Sequence, residues 1–177
     1  PSATPHDSPS AAPHDSPSAT PHHSLSAAPY RSFDMNALTA PQRYKLFMGS
    51  VIPRPIALVT SMSAGDSVNA APFSNFMVVS SAAGVLAFAC AYQKEDLAEK
   101  DTLVNIRARG EFVVNTVPIS LVRQVQHCAE TFPPEVSEVE IAGLNLLPSV
   151  HVATPRIAES GVQFECRLDN MQRYGET

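Results

Sequence analysis

Arg54-Pro-Ile-Ala-Leu-Val-Thr-Ser61 and, a turn later, Asn69-Ala-Ala-Pro-Phe-Ser-Asn-Phe76 are the stretches that decide the fold. The first is an apolar run ending in hydroxyls. It reads as part of a strand over Val51–Met62, with Pro53 and Pro55 confined to its start or to a sheet edge. Gly65-Asp66 supplies a turn, and Val68 begins a second extended run. Pro72 interrupts that second run. A proline gives no ladder donor, so backbone groups near it are left to bond something other than a neighbouring strand.

Outward from this pair, residues 41–48 predict a short helix opened by Pro41. Val85–Tyr92 alternates bulky and small side chains and predicts a strand. Thr102–Arg109 predicts a helix capped by Asp101 and stopped by Gly110, with Leu103 and Ile106 on one face. Glu111–Val117 predicts a strand, Ile119–Phe132 a helix ended by Pro133-Pro134, and Val162–Met171 a last strand after a loop at Gly143. Strands that follow one another through turns, with two sizeable helices between them, predict a mainly β fold. The expected form is an antiparallel sheet or β-barrel with peripheral helices, not an alternating βαβ sheet. The seven glycines make neither a GxGxxG nor a Walker loop, so any phosphate must be held by side chains and helix-start amides.

Composition narrows the function. The chain has 177 residues, a net charge of −5 and 44% hydrophobic residues, which suits one domain with a real core. Its 12 Lys and Arg are scattered, which argues against nucleic acid as a partner. The longest apolar stretch, from Phe76 to Tyr92, is broken by Ser80, Ser81 and Gly84, so no membrane span is expected. Cys90, Cys128 and Cys166 form no CxxC pair, which points to a reducing, cytoplasmic setting and to neither a zinc site nor a disulfide framework. Residues 1–29 are a Pro/Ser/Ala/His octapeptide repeat, Pro1–Ser8 recurring at Pro9 and Pro17. With Leu25 as its only bulky apolar residue, this segment is expected to be a disordered tail. Its histidines, His6, His14, His22 and His23, read as solvated and hold no metal. The globular domain is expected over 30–177, with a cut edge after Thr177.

Lys100-Asp101-Thr102 is the best anion candidate, because a helix start offers unpaired amides and Lys100 adds a charge. The plain alternative is a capping Asp101, a solvated Lys100 and a turn-filling Thr102. Thr60, Ser61 and Ser63 cluster hydroxyls at a strand end, where turn formation is the competing reading. Around Pro72, Asn69 and Ser74 add polar groups and Phe73 and Phe76 add flat apolar surface, a mixture that a planar heterocycle requires, though a bulged edge strand at a dimer contact has the same composition. Arg54, on a stiff Pro-Arg-Pro backbone, is either a bidentate phosphate ligand or a surface arginine. His127 and His151 read as structural or exposed, and the sequence offers no catalytic triad or acid pair.

On the blocks 54–61, 69–76, Lys100-Asp-Thr-Leu-Val-Asn-Ile106 and Gly110-Glu-Phe-Val-Val-Asn115, residues 43–177 resemble the flavin reductase-like FMN-binding split-barrel family, which includes the flavoredoxins. The resemblance implies a six-stranded Greek-key barrel, a homodimer and FMN near the subunit interface. It implies Thr60, Ser61 and Ser63 on the ribityl-phosphate side, and Asn69, Ala71, Pro72, Ser74 and Phe76 along the isoalloxazine. Lys100 and Thr102 would meet the phosphate, with Asp101 and Asn105 shaping the helix start. The implied activity is NADH- or NADPH-dependent reduction of FMN, with hydride passing to flavin N5 and electrons going on to a monooxygenase or another acceptor. The alternative is a non-catalytic FMN-binding protein or electron carrier with no nicotinamide site. Family members continue past the last strand with further sheet, so this chain is expected to lack a C-terminal part, and its octapeptide tail is foreign to the family.

Overall fold

The computed structural model describes residues 31–90, 99–133 and 136–174; the octapeptide repeat lies outside them. The chain divides into two units, Pro1–Phe47 and Met48–Thr177. In the first, Arg43 donates to the carbonyls of Met35 and Leu38 and fastens a short turn ahead of the helix α1, Ala40–Ser50.

The second unit carries the sheet. Its strands and helices run β1 (Ala57–Met62), β2 (Val68–Phe73), β3 (Phe76–Ser80), β4 (Val85–Phe88), α2 (Asp101–Arg109) and β5 (Glu111–Thr116). A 3₁₀ turn at Ile119–Leu121 then leads into α3 (Val122–His127), α4 (Glu138–Ile141), β6 (Leu146–Leu147), β7 (Arg156–Ile157) and β8 (Gln163–Arg167). Four strands form one antiparallel ladder in the order β2-β1-β5-β8, while β3–β4 and β6–β7 pair separately. The fold is sheet-rich with a few helices, as the strand succession predicts. Among the described residues no ladder joins β2 to β8, and no helix is long and apolar enough to cross a membrane.

β1 is buried from Ala57 to Ser61 because the sheet is covered on both faces. Successive side chains go to opposite sides. Leu58 and Ala70 join Leu121, Val125, Val139 and Ile157 on one face; Ala57, Val59 and Phe73 join Ile106, Phe112 and Val114 on the other. Inside the first layer sits Asn115, fully buried. Its Nδ2 donates to Leu58 O (3.0 Å) and its Oδ1 accepts from Ile157 N (2.9 Å), so one amide ties β5 to β1 and β7.

Several element boundaries differ from expectation. The strand expected from Val51 begins at Ala57, because Pro53 and Pro55 cannot donate to a ladder and Arg54 bonds Met48 O (2.9 Å) and Val51 O (2.7 Å), folding 51–56 into a loop. The helix expected to reach Phe132 ends at His127, where Ala129 N bonds Gln126 O and Glu130 N bonds His127 O (both 3.1 Å), tightening the chain into turns. The strand from Val85 stops at Phe88, and the expected end at Tyr92 lies outside the described residues, as does Pro134. The last strand is Gln163–Arg167 rather than Val162–Met171.

α2 stops at Gly110 as expected, with φ 70° and its N–H on Ile106 O (2.8 Å). A Cβ there would meet nothing within 4 Å, so the cost of a side chain is backbone strain alone. Gly110→Ala is therefore expected to lower stability by about 1 kcal/mol with an unchanged denaturant slope. Urea unfolding followed by circular dichroism checks this, and an unchanged midpoint would contradict it.

Candidate functional site

The start of α2 faces the outer edge of β2. Lys100 occupies the N-cap position in extended backbone (φ −64°, ψ 144°) and makes no side-chain cap bond. The expected cap, Asp101, is instead the first helical residue. The amides of Leu103 and Val104 turn back to Lys100 O (2.8 and 3.2 Å), which leaves those of Asp101 and Thr102 outside the helix's own bonding.

α2 docks through polar side chains. Its buried residues are Thr102, Asn105 and Ile106, and Leu103, expected to share the apolar face, is half-buried. Asn105 Nδ2 donates to Ser61 Oγ (3.2 Å), Thr102 Oγ1 meets the Asn69 amide (3.0 Å), and Arg109 Nε donates to Ser63 O (3.0 Å). Residues 102, 105 and 109 lie on one helical stripe, so the helix is held along the β1–β2 hairpin by hydrogen bonds at each turn.

On β2, Ala70 N reaches Glu138 Oε2 (3.4 Å) and Val68 O accepts from Ser137 Oγ (2.8 Å). Residues of this parity point away from β1, and Pro72 shares it. The proline thus sits where its missing N–H costs no ladder bond. Glu138, from α4, is 8% exposed and lies against Asn69. One terminal atom of the Asn69 amide is 3.0 and 3.3 Å from the Glu138 oxygens, and the other is 3.0 Å from Thr102 Oγ1. When the Glu138 carboxyl is ionised, the amide turns its NH2 to it and its oxygen accepts from Thr102 and from Ala70 N (3.3 Å).

These groups enclose a cleft of about 90 Å³. Asn69, Ala71, Pro72, Lys100, Asp101 and Thr102 line it, together with Cys128–Phe132 and Glu138. Lys100 Nζ also stands 5.9 Å from the centroid of the Phe73 ring, within cation–π range. Burial raises the pKa of Asp101. Burial likewise raises that of Glu138, with the Asp101 charge adding to it against the hydrogen bond from Ala70. The Cys128 thiol is pushed up to about 11 by burial, with the Glu138 charge adding to it, and so stays protonated near neutrality.

The other candidates lie elsewhere. Thr60 and Ser61, read as one hydroxyl cluster, point to opposite faces because they are adjacent in a strand. Thr60 is fully buried and donates to Pro155 O (2.8 Å), while Ser61 serves Asn105. Ser63 Oγ accepts from Ser67 N (3.1 Å) inside the hairpin turn. Ser74 accepts from Arg54 Nε (3.4 Å), and that guanidinium braces the 51–56 loop. Phe76 pairs with Phe88 at the start of the β3–β4 hairpin and packs on the second core layer. Glu138 and the 128–132 turn escaped sequence reading; an acid in the first turn of a four-residue helix is an ordinary dipole partner and does not signal burial. A second, wider cleft of about 610 Å³ lies between the β3–β4 hairpin and β8, lined by residues such as Val85, Leu86, His151 and Phe164.

Residues 48–177 match the flavin reductase like domain, and the chain belongs to that family. It is 40% identical over 140 residues to an uncharacterized protein of Halalkalibacterium halodurans, covering 79% of this chain and 66% of that one, so it spans just under two thirds of that relative's length. Among solved structures it is similar to nitrilotriacetate monooxygenase component B from Bacillus cereus (33% identity, TM-score 0.76, 81% of this chain and 70% of that one). It is also similar to 2-nitrobenzoate 2-nitroreductase from Pseudomonas fluorescens (37% identity, TM-score 0.69, 77% and 64%). The chain shares the fold of these flavin reductase like neighbours, and with it that of a protein with a split barrel domain from Shewanella frigidimarina (19% identity, TM-score 0.65, 78% of this chain and 67% of that one).

A carboxyl whose folded-state pKa is raised contributes stability at low pH and loses it as pH rises through that pKa. Glu138→Gln cannot ionise and escapes that loss. Its stability relative to the unsubstituted protein is expected to improve between about pH 5 and pH 8, as read by urea unfolding at both values. A difference that does not move with pH would contradict the buried-acid assignment.

Proposed function

We propose that this chain binds FMN, with the phosphate in the cleft between β2 and the start of α2, and that it is an NAD(P)H-dependent flavin reductase. The observation that carries this reading is the convergence of two separated sequence blocks: Asn69, Ala71 and Pro72 meet Lys100 and Thr102 around one small cleft. Its donor set fits a phosphate, with one ammonium, a hydroxyl, and the two helix-start amides left outside the ladder. Its volume suits a phosphate and not three fused rings.

Within this reading Lys100 supplies the charge-assisted contact, from an ammonium that stands over the Phe73 ring. Asn69 orients the Thr102 hydroxyl. Pro72, at the outward edge of β2, keeps another strand from pairing across the entrance. Asp101 and Glu138 bring negative charge to the same cleft, and the rise of both pKa values limits the repulsion an anion meets there. Bound flavin supplies hydride-accepting chemistry at N5, so the protein need only hold and orient two rings. Ser61, Ser63 and Arg54 act from behind, by holding α2 and the 51–56 loop in place. The reading extends to a homodimer, to a closed Greek-key barrel and to a monooxygenase as acceptor of the reduced flavin. The component B neighbour, whose name ties it to a monooxygenase, supports that last point.

Mixing the protein with FMN and NADH or NADPH and following flavin absorbance tests the activity. Bleaching at a rate proportional to enzyme is expected; a flavin-loaded protein that stays oxidised would make the chain a carrier instead. Lys100→Ala is expected to weaken FMN by about 1.5–3 kcal/mol, the loss of a charge-assisted hydrogen bond. Equal affinity in a fluorescence titration would remove Lys100 from the phosphate site.

A further inference from the structure

The Asn69 amide sits between an acid and a hydroxyl, and its orientation matters to both. With Glu138 ionised, the NH2 turns to the carboxylate (3.0 and 3.3 Å) and the amide oxygen takes the Thr102 hydroxyl proton. Thr102 then has no proton to offer an anion in the cleft. With Glu138 protonated, its O–H donates to the Asn69 oxygen over the same short distance, and Asn69 Nδ2 donates to Thr102 Oγ1 (3.0 Å). That second arrangement leaves the Thr102 proton free to point into the cleft that Thr102 lines. Ala70 N stands 3.4 Å from the other Glu138 oxygen and 3.3 Å from the Asn69 terminal atom that faces Thr102, so it donates to the Asn69 oxygen in the first arrangement and to the carboxyl in the second.

Resting on the FMN reading above, we infer that Glu138 is a positioning residue: acting through Asn69, it decides whether Thr102 donates to the flavin phosphate, so that phosphate binding takes up a proton at Glu138. The incoming dianion adds to the groups that line the cleft with this carboxyl or bond it. From α2 these are Asp101, which disfavours its charge, and Lys100; from the turn after α3 they are the Cys128 thiol and Glu130; from β2 they are the Asn69 amide and Ala70 N. Among them only Lys100 is positive, and it is the group that pairs with the phosphate. Charge balance and hydrogen-bond direction therefore favour the same protonated state of Glu138.

Calorimetric titration of the full chain tests this between about pH 7 and 8.5, where a phosphomonoester with a second pKa near 6 is already dianionic. Running it in two buffers of different ionisation enthalpy counts protons directly. FMN is expected to bind with net proton uptake, and its Kd to weaken with rising pH by up to about tenfold per unit. Riboflavin, which has no phosphate, is expected to bind without uptake. Glu138→Gln presents an amide NH2 to the Asn69 oxygen as the protonated acid does, so it should hold tight FMN binding across the range with no proton uptake. Thr102→Val should lose both affinity and pH dependence. FMN binding without proton exchange in the unsubstituted protein, or an unchanged pH slope in Glu138→Gln, overturns the relay and leaves the FMN reading standing. No FMN binding at any pH overturns both.

Discussion

The outer edge of β2 is the constraint from which the rest of the site follows. A four-stranded ladder must end somewhere, and an edge exposes backbone groups that invite pairing. Here the outward-facing positions are 68, 70 and 72. Ser137 takes the first, Glu138 the second, and a proline with no donor occupies the third. The edge is closed by side chains from α4 and not by another strand. Closing it that way places a buried carboxyl beside Asn69, and Asn69 beside the start of α2. A cleft bounded by a helix start, an ammonium and a polar strand edge is the consequence.

What holds α2 there is unusual for a nine-residue helix, because its docking face is largely polar. Thr102, Asn105 and Arg109 each reach a β1–β2 group, so the helix cannot rotate without leaving buried polar atoms unpaired. Apolar periodicity therefore caught Ile106, which is buried, and missed Thr102 and Asn105 beside it. The sequence pattern measures hydrophobic burial, and this interface is built from hydrogen bonds whose partners lie 33 to 46 residues away.

Local chemistry was legible in the chain and long-range chemistry was not. Gly110 as a helix stop, Gly65-Asp66 as a turn and the interrupting Pro72 depend on one residue's backbone, so each could be read in place. The sheet-rich architecture followed from turns separating short apolar runs. Family resemblance then grouped Asn69, Lys100 and Thr102, which no local rule could have done. Thr60 and Ser61 look like one hydroxyl cluster in the sequence, yet a strand's period of two sends them to different faces. Glu138 was invisible because its role depends on Asn69 and Ala70, whose backbone amide it meets across 68 residues. The early end of α3 reflects competition from turn bonds that composition does not register.

Membership of the flavin reductase like family and the β2–α2 cleft both support the proposal that this edge seats the phosphate of a flavin. A crystal structure of the protein soaked with FMN tests it most directly. Phosphate density is expected within hydrogen-bonding distance of Lys100 and the amides of Asp101 and Thr102. Flavin bound with its phosphate elsewhere, and this cleft filled only by solvent, would contradict it.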